Sequence, residues 1–479
     1  MNLQDIRGFS LTNINKINVV LGKNGCGKSH LLKQLEQGLK AGQAHIAKVR
    51  YISPERGGVL QYEPSIDQAI SQNLEWIDNN RRKNQSDNFR AQSATLFRRL
   101  ELLVLREIEQ ESQKKDFKPR SFETAIEALN KLLDRVRLKR DDRRAFAIID
   151  RETLHEAAPA DISSGEAELI SLGIEFLSFA KECIPGKENF LLVDEPDVHL
   201  HPDLQDRLAG FMADVIKDAP FTLILATHST ALLAGLAARD NTHVAFMRRK
   251  DTTLTFKPVS DTDRAILPIF GAHPLSNVFN QSPILLLEGE DDERMWQQAV
   301  RSGKGKVRVF PCVVDGLPNF SDFETEVNNI LESVYDNALG YSLRDKDQQP
   351  ELIEDVGRIV RMRLGCRAAE NLMLSDEVLA LAGIDWPAVQ KRIGEWAVAN
   401  GGHQYHSEVK AFIDGGFDRK DFDLKTIRNI LIGLFSNKPW EVLVGQAIAA
   451  LPRSGGPAKA GSLRDFLGDK LCKSVLRIS

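Results

Sequence analysis

The distribution of apolar and polar positions divides the chain into stretches of different texture. Lys16 to Leu21 (KINVVL) is a short apolar run bounded by polar residues, the pattern of a strand buried on both faces. Ala47 to Ser53 (AKVRYIS) predicts a second strand, and a glycine-rich turn between the two leads into a helix beginning near Lys28. From about Leu60 to Arg144 the sequence becomes polar. Its apolar residues there fall at helical spacing, as in Leu96, Leu100 and Leu103, and again in Phe122, Ile126, Leu129, Leu133 and Val136. This predicts an inserted arm of several helices. Strand texture returns after residue 145, with strands at Asn189 to Val193 and Phe221 to Ala226 flanking an amphipathic helix at Leu204 to Val215. Such alternation predicts an α/β fold with a parallel sheet. Pro283 to Leu287 opens a further unit, followed by a helix, a strand near Val307 to Val314, a long helical stretch and a strand at Gly340 to Leu343. Arg453 to Gly461 (RSGGPAKAG) has the composition of a flexible linker.

Composition narrows the class. The chain has 479 residues, 42% hydrophobic and 27% charged, enough for two to four domains with sizeable cores. These values exclude a disordered, collagen-like or disulfide-stapled protein. With 63 Lys and Arg against 67 Asp and Glu, the net charge of −4 makes no global case for nucleic acid binding. Local patches stay open. Arg135 to Arg144 holds six basic residues and two Asp, and reads as a solvated helix face, a dimerisation element or a contact for the DNA backbone. The five cysteines are far apart without zinc or CxxC spacing, so free thiols in a reducing compartment are expected. The N-terminus lacks a basic segment followed by an apolar core, and no run approaches the length of a membrane span. A cytoplasmic protein without a membrane partner is expected.

Two constellations carry chemistry. In the first, Gly22-Lys23-Asn24-Gly25-Cys26-Gly27-Lys28-Ser29 matches GxxxxGK[ST] between a predicted strand and a predicted helix. The glycines Gly22, Gly25 and Gly27, with Asn24, let backbone N–H groups turn toward phosphates. Lys28 supplies a charge to the β- and γ-phosphates, and Ser29 offers a hydroxyl to Mg²⁺. Phe190 to Glu195 (FLLVDE) is a hydrophobic strand that delivers Asp194 to the metal and Glu195 to the place of a general base for water. Ile162-Ser163-Ser164-Gly165-Glu166 precedes a helix upstream, and Ala226-Thr227-His228-Ser229 ends the next strand. This order of motifs resembles the ABC-type ATPases, especially their SMC/RecF-like branch. The resemblance implies that ATP pairs two such domains, with Ser163 and Gly165 acting on the nucleotide of the opposite subunit and His228 on that of its own. It also implies that Asp197 lies at the dimer seam. Ser53 to Gly58 takes the place of the family's glutamine-bearing switch loop, with Gln61 close by.

The second constellation is acidic. Leu285 to Asp292 (LLLEGEDD) places Glu288 just past a buried strand and Asp292 at the start of a helix. Gly340 to Asp347 (GYSLRDKD) ends another strand in Asp-x-Asp, and two residues apart on an extended chain share a face. Asp345 and Asp347 are therefore expected to point together toward Glu288, as hard oxygen ligands for Mg²⁺ or Mn²⁺. Two such ions activate water and stabilise the leaving oxygen of a phosphodiester. The pattern resembles the TOPRIM fold. Glu370-Asn371 resembles the Glu-Asn step of TOPRIM nucleases, which adds Glu370 to the metal ligands. Asn437-Lys438-Pro439-Trp440 resembles their late lysine motif, with Asn437 where glycine is usual, and assigns Lys438 to the developing phosphate charge; Lys470 is the alternative.

An ABC-type ATPase followed by TOPRIM resembles the overcoming-lysogenization-defect (OLD) family of ATP-dependent nucleases. The expected architecture is an α/β chain: ABC ATPase over 1–59 and 146–275, helical insertion over 60–145, a TOPRIM-like domain over 276–450 and a C-terminal segment over 451–479. The resemblance implies ATP and Mg²⁺ as cofactors, cleavage of DNA ahead of RNA, a homodimer or higher oligomer, and a role in defence against phage with a possible partner protein. An ATP-controlled tRNA nuclease of a toxin-like system and a non-nucleolytic ATP-switched scaffold are the competing expectations.

Overall fold

Burial along the first strands separates two sheets. β1 (Leu3–Ile6) and β2 (Phe9–Thr12) each bury only two residues, and they pair antiparallel in a three-stranded sheet. β3 (Ile17–Leu21) buries all five, as a strand covered on both faces must. The computed structural model describes residues 1–42, 45–57, 60–73, 76, 80, 85–86, 89–113, 121–142, 145–239, 241–259, 283–314, 320–334, 338–454 and 458–478. These fall into two compact units, Met1–Ala272 and His273–Ser479, which are treated separately below.

In the first unit, α1 (Lys28–Gly42) follows β3 and leads to β4 (Ile46–Ile52). After an intervening segment come α2 (Phe89–Ser112), the antiparallel hairpin β5 (Val136–Asp141) and β6 (Ala145–Asp150), and α3 (Ser164–Glu182). β7 (Glu188–Asp194), α4 (Pro202–Asp218), β8 (Thr222–Thr227), β9 (Thr242–Phe246), β10 (Thr253–Thr255) and β11 (Lys257–Pro258) complete it. The main sheet runs β11-β9-β3-β8-β7-β4, parallel except for β11. It therefore brings the C-terminal ends of β3, β7 and β8 to one edge, where loops gather functional groups.

The insertion holds several helices, Pro64–Gln72 and α2 among them, and ends in a hairpin. The run Arg135 to Asp142 belongs to a hairpin, not a helix: Val136 and Leu138 are buried while Arg137 and Lys139 are exposed, the alternation of a half-buried strand. Arg143 and Arg144 lie outside the described residues. The spacing from Phe122 to Leu133 does bury one side, but in two short helices, Phe122–Ala125 and Glu127–Leu132. α2 lies against α3 within the first unit, so it belongs to that body.

The seam between α3 and β4 is ionic. Glu168, Glu175 and Glu182 recur every seven residues along α3, hence on one face, and all three are buried or nearly so. Glu175 meets Arg50 at 3.3 Å, and Glu182 meets Arg50 at 3.0 Å and Lys48 at 2.9 Å. Glu168 pairs with Arg56, just beyond β4.

The second unit is built on β12 (Ile284–Leu287), α5 (Glu290–Ser302), β13 (Phe310–Val313), α6 (Phe320–Val334), β14 (Gly340–Arg344) and β15 (Ile359–Arg363). All four strands are parallel, in the order β13-β12-β14-β15. The chain goes from β12 to one side and then crosses to β14 on the other. The crevice at the C-terminal ends of β12 and β14 is thus a topological switch point, where open parallel sheets bind ligands. Later helices, among them α7 (Arg428–Gly433) and α8 (Trp440–Ala450), cover the sheet. α8 fits closely on α5 because Gly445 has no side chain: a Cβ there would lie 2.5 Å from the Met295 carbonyl. The C-terminal segment is not an appendage. Leu463, Phe466, Leu467 and Leu471 join the core of this unit, and the Gly461 carbonyl accepts from the Asp376 N–H at 3.0 Å, so the end of the expected linker is anchored. Residues 455–457 lie outside the described residues.

Candidate functional site

In the first unit the glycine-rich loop leaves β3 and enters α1 at Lys28. Gly25 and Gly27 have φ of +75° and +111°, conformations that side chains resist, and a Cβ on Gly22 would sit 2.6 Å from the Met247 carbonyl. Asn24 is exposed at the loop's tip. Lys28 is buried, and its ammonium donates to the Gly22 and Lys23 carbonyls at 2.8 and 3.1 Å. It also pairs with Glu195 at 2.9 Å.

β7 ends on Asp194, which is fully buried. Its carboxylate accepts from Tyr51 at 2.8 Å and from the Ser29 hydroxyl, while its second oxygen, Oδ1, is buried without a hydrogen-bond partner. Burial pushes this carboxyl above its ordinary range despite those two bonds. Glu195 adopts a left-handed φ of +43°, with its N–H bonded to the Ala226 carbonyl at 2.8 Å. Its Oε2 lies 2.6 Å from His228 Nδ1. Burial opposes charge on Glu195, but the bond from His228 and the Lys28 ammonium hold it below its usual range. The same bond raises His228 above its usual range, against burial. Glu195 thus lies as an ionised acceptor between the Lys28 ammonium and the His228 imidazole.

Ser163 caps α3, its hydroxyl accepting from the Glu166 N–H at 3.2 Å and donating to the Glu166 carboxylate at 2.9 Å. It is exposed, and a Cβ on its neighbour Gly165 would approach Leu204 to 2.9 Å. The Asp197 side chain is buried within the first unit, bonded to Thr227 and 3.9 Å from His228. Among the described residues, Glu195, Asp197 and His228 are the one group of three such side chains with ligand atoms within 4.8 Å of one another. Sequence reasoning missed Tyr51 and Arg56. Arg56 is buried in the expected switch loop and donates to the carbonyls of both Asp194 and Glu195.

In the second unit a cavity of about 420 Å³ opens at the switch point, lined by Glu288, Asp291, Asp292, Asp345, Glu370, Lys425, Arg428 and Trp440 among others. Glu288 follows β12 and Asp345 follows β14, while Asp291 and Asp292 stand in the first turn of α5. Glu370 belongs to a buried 3₁₀ turn, Ala369–Leu374. Burial and the charges of Asp345, Glu370 and Glu288 push the Asp292 carboxyl up to about 8. Burial, with Asp345 beside it, raises Glu288, and burial raises Asp345 despite Lys425 at 3.1 Å. Arg428 bridges Asp291 at 2.8 Å and Glu370 at 2.7 Å.

Asp347 lies past the end of β14 at Arg344, exposed at φ +47°, and its charge acts on Glu288 and Asp345. Two expectations change here. Lys438 does not line the cavity; it is exposed and its ammonium donates to Gln446 at 3.2 Å. Lys470 pairs with Asp355 at 2.7 Å. Lys425 and Arg428 are the cations beside the carboxylates, and nothing in local sequence marked them, because they reach the cavity from a segment far along the chain.

Residues 67–234 match a family model described as "AAA domain, putative AbiEii toxin, Type IV TA system". That span takes in Ser163 to Glu166, Asp194, Glu195 and His228. This match to an AAA domain model lies within the first unit. Among solved structures, the SMC head domain from Thermotoga maritima is 16% identical with a TM-score of 0.22, over 29% of this chain and 48% of that one. The chain therefore spans about half the length of that head domain. The Smc head domain with an extended coiled coil from Pyrococcus furiosus is 16% identical with a TM-score of 0.24, over 52% of this chain and 64% of that one. "An inward-facing conformation of a putative metal-chelate type ABC transporter" is 17% identical with a TM-score of 0.28, over 52% and 76%. No curated protein matches the sequence. Among the described residues, no helix is long and apolar enough to cross a membrane.

Proposed function

We propose that the chain is an ATP-controlled, metal-dependent nuclease of the OLD type that cleaves DNA in defence against phage, with a TOPRIM-like second unit. The observation that carries this reading is the carboxylate-lined cavity at the switch point of the second sheet. Its donors are hard oxygens, and burial together with the charges of Asp345, Glu370 and Glu288 pushes the Asp292 carboxyl up to about 8, a penalty that a divalent cation would relieve. Glu288, Asp292, Asp345 and Glu370 would hold Mg²⁺ or Mn²⁺, which supplies an activated water and a stabilised leaving oxygen when bound. Arg428 and Lys425 orient those carboxylates and offer positive charge to a phosphodiester.

In the ATPase domain the orphaned Asp194 Oδ1 beside Ser29 fits Mg²⁺ bound with ATP. Lys28 binds phosphate, and Glu195 accepts a proton from the attacking water while His228 orients it. Exposed Ser163, with Gly165, offers a surface to a second copy, so a homodimer is the working assembly. The family description names a putative toxin, and a toxin-like nuclease acting on tRNA is the second reading to test.

The experiment is a cleavage assay on plasmid DNA and total tRNA with Mg²⁺ or Mn²⁺, with and without ATP. Wild type runs beside Asp345→Ala and Glu195→Gln. Plasmid nicking that disappears in Asp345→Ala and changes its ATP dependence in Glu195→Gln is expected. Cleavage of tRNA alone moves the substrate to RNA. Cleavage unchanged in Asp345→Ala, or none on either substrate while ATP is hydrolysed, rejects the nuclease in favour of the scaffold.

A further inference from the structure

We propose that Arg56 is a positioning residue of the ATPase, one that fixes the Glu195 peptide and ties it to α3. Its guanidinium is 1% exposed and every arm is occupied. Nη1 donates to the Ser53 carbonyl at 2.6 Å and the Asp194 carbonyl at 3.3 Å, Nη2 to the Glu195 carbonyl at 3.1 Å, and Nε to Glu168. Planar forked donors of this kind hold several acceptors in one geometry, which an ammonium does not.

The target matters because Glu195 is strained. A left-handed φ at a glutamate persists only where its surroundings impose it. The Ala226 carbonyl holds the N–H of Glu195 and Arg56 holds its carbonyl. With both sides of the residue fixed, its Cα–Cβ bond is aimed, and the carboxylate reaches Lys28 and His228. The other end of the link is Glu168, in the second turn of α3, one turn past the Ser163 cap. A displacement of the start of α3 therefore reaches the Glu195 peptide through a single side chain. Glu168 also lies 3.9 Å from Arg90 at the start of α2, so it keeps a cationic neighbour when Arg56 is replaced.

This role predicts a loss of turnover without a loss of nucleotide affinity, because Arg56 touches carbonyls behind the carboxylates and none of the groups in the phosphate loop. The test uses the full chain as Arg56→Met, Arg56→Lys and Glu168→Gln. Binding of a fluorescent ATP analogue and steady-state phosphate release are measured for each. Arg56→Met is expected to lower kcat about ten-fold or more, the loss of charged hydrogen bonds at a site that orients the base, with nucleotide Kd unchanged or lower as Glu195 loosens from Lys28. Arg56→Lys recovers part of the rate by keeping a carbonyl contact. Glu168→Gln keeps all three carbonyl bonds and loses only a few-fold. A Kd that rises about ten-fold or more while kcat falls would mean a scaffold role only and overturns the proposal. Should Arg56→Met not fold, Arg56→Lys and Glu168→Gln decide, and wild-type kcat in both overturns it.

Discussion

Replacing Glu195 by Gln is predicted to move ATP affinity and turnover in opposite directions. Lys28 sits 2.9 Å from Glu195 Oε1, with the two side chains 4% and 12% exposed. Phosphates that engage Lys28 must compete with this carboxylate. At an effective dielectric constant of about 20, the Coulomb attraction at that distance is about 6 kcal/mol. Most of it is offset by the desolvation of both ions, and a charged hydrogen bond retains about 1.5–3 kcal/mol net. The glutamine variant removes the charge and keeps the shape, so ATP should bind about ten- to a hundred-fold more tightly. The same change removes the base that takes the proton of water, and kcat should fall by about 10²–10⁴. Calorimetry with a non-hydrolysable ATP analogue gives the first quantity and phosphate release gives the second. A Kd unchanged or weakened in Glu195→Gln would refute the competition between carboxylate and phosphate, and a kcat within about three-fold of wild type would refute the assignment of the base.

Gly445→Val forces a side chain against the Met295 carbonyl and the Gln298 Cβ, 2.5 and 2.7 Å from an ideal Cβ, and should destabilise the second unit by about 1–3 kcal/mol. Four of the five tryptophans (Trp296, Trp386, Trp396 and Trp440) lie in that unit, so the fluorescence-detected urea midpoint reads the loss. The same probe should show that unit losing stability as pH rises toward 8. Asp292 holds its proton up to about 8 in the folded chain, whereas an unfolded Asp releases it near pH about 4, so the folded state binds more protons between those values. Asp292→Asn should flatten this slope, and an unaltered slope would assign the pH dependence elsewhere. Arg137→Glu with Lys139→Glu on the exposed face of the hairpin should weaken DNA binding and reduce the salt dependence of log K by about 2 if that face meets phosphates; an unchanged slope removes it from the interface.

Much of the fold was legible because its core strands are continuous apolar runs. Lys16 to Leu21 and Phe190 to Glu195 announce strands whose ends carry the motifs, and those ends converge in the ATPase site as parallel topology requires. The basic run at Arg135 misled because a cluster of charges hides the two-residue alternation of Val136 and Leu138. Asp347 was hard to place because it lies three residues past Arg344, the end of β14, where the face-sharing rule for strands no longer applies. Arg56, Lys425 and Arg428 were silent for a different reason. An arginine or lysine in a polar segment reads as solvated, and only tertiary structure shows that its partner is a carboxylate or carbonyl distant in sequence. The same holds for Glu168, Glu175 and Glu182, whose burial no local pattern betrays.

Those three glutamates restrict how the nucleotide site can move. An apolar helix–sheet contact can slip by small steps because one methyl group replaces another. An ionic seam has a fixed register: shifting α3 by one helical turn, about 5.4 Å, would separate Glu168, Glu175 and Glu182 from Arg56, Arg50 and Lys48 at once. Gliding of α3 along β4 is therefore the motion the fold forbids. Any stroke that begins at Ser163 must carry β4 along as a single lever, and spin labels on α3 and β4 should keep their separation whether or not ATP is added.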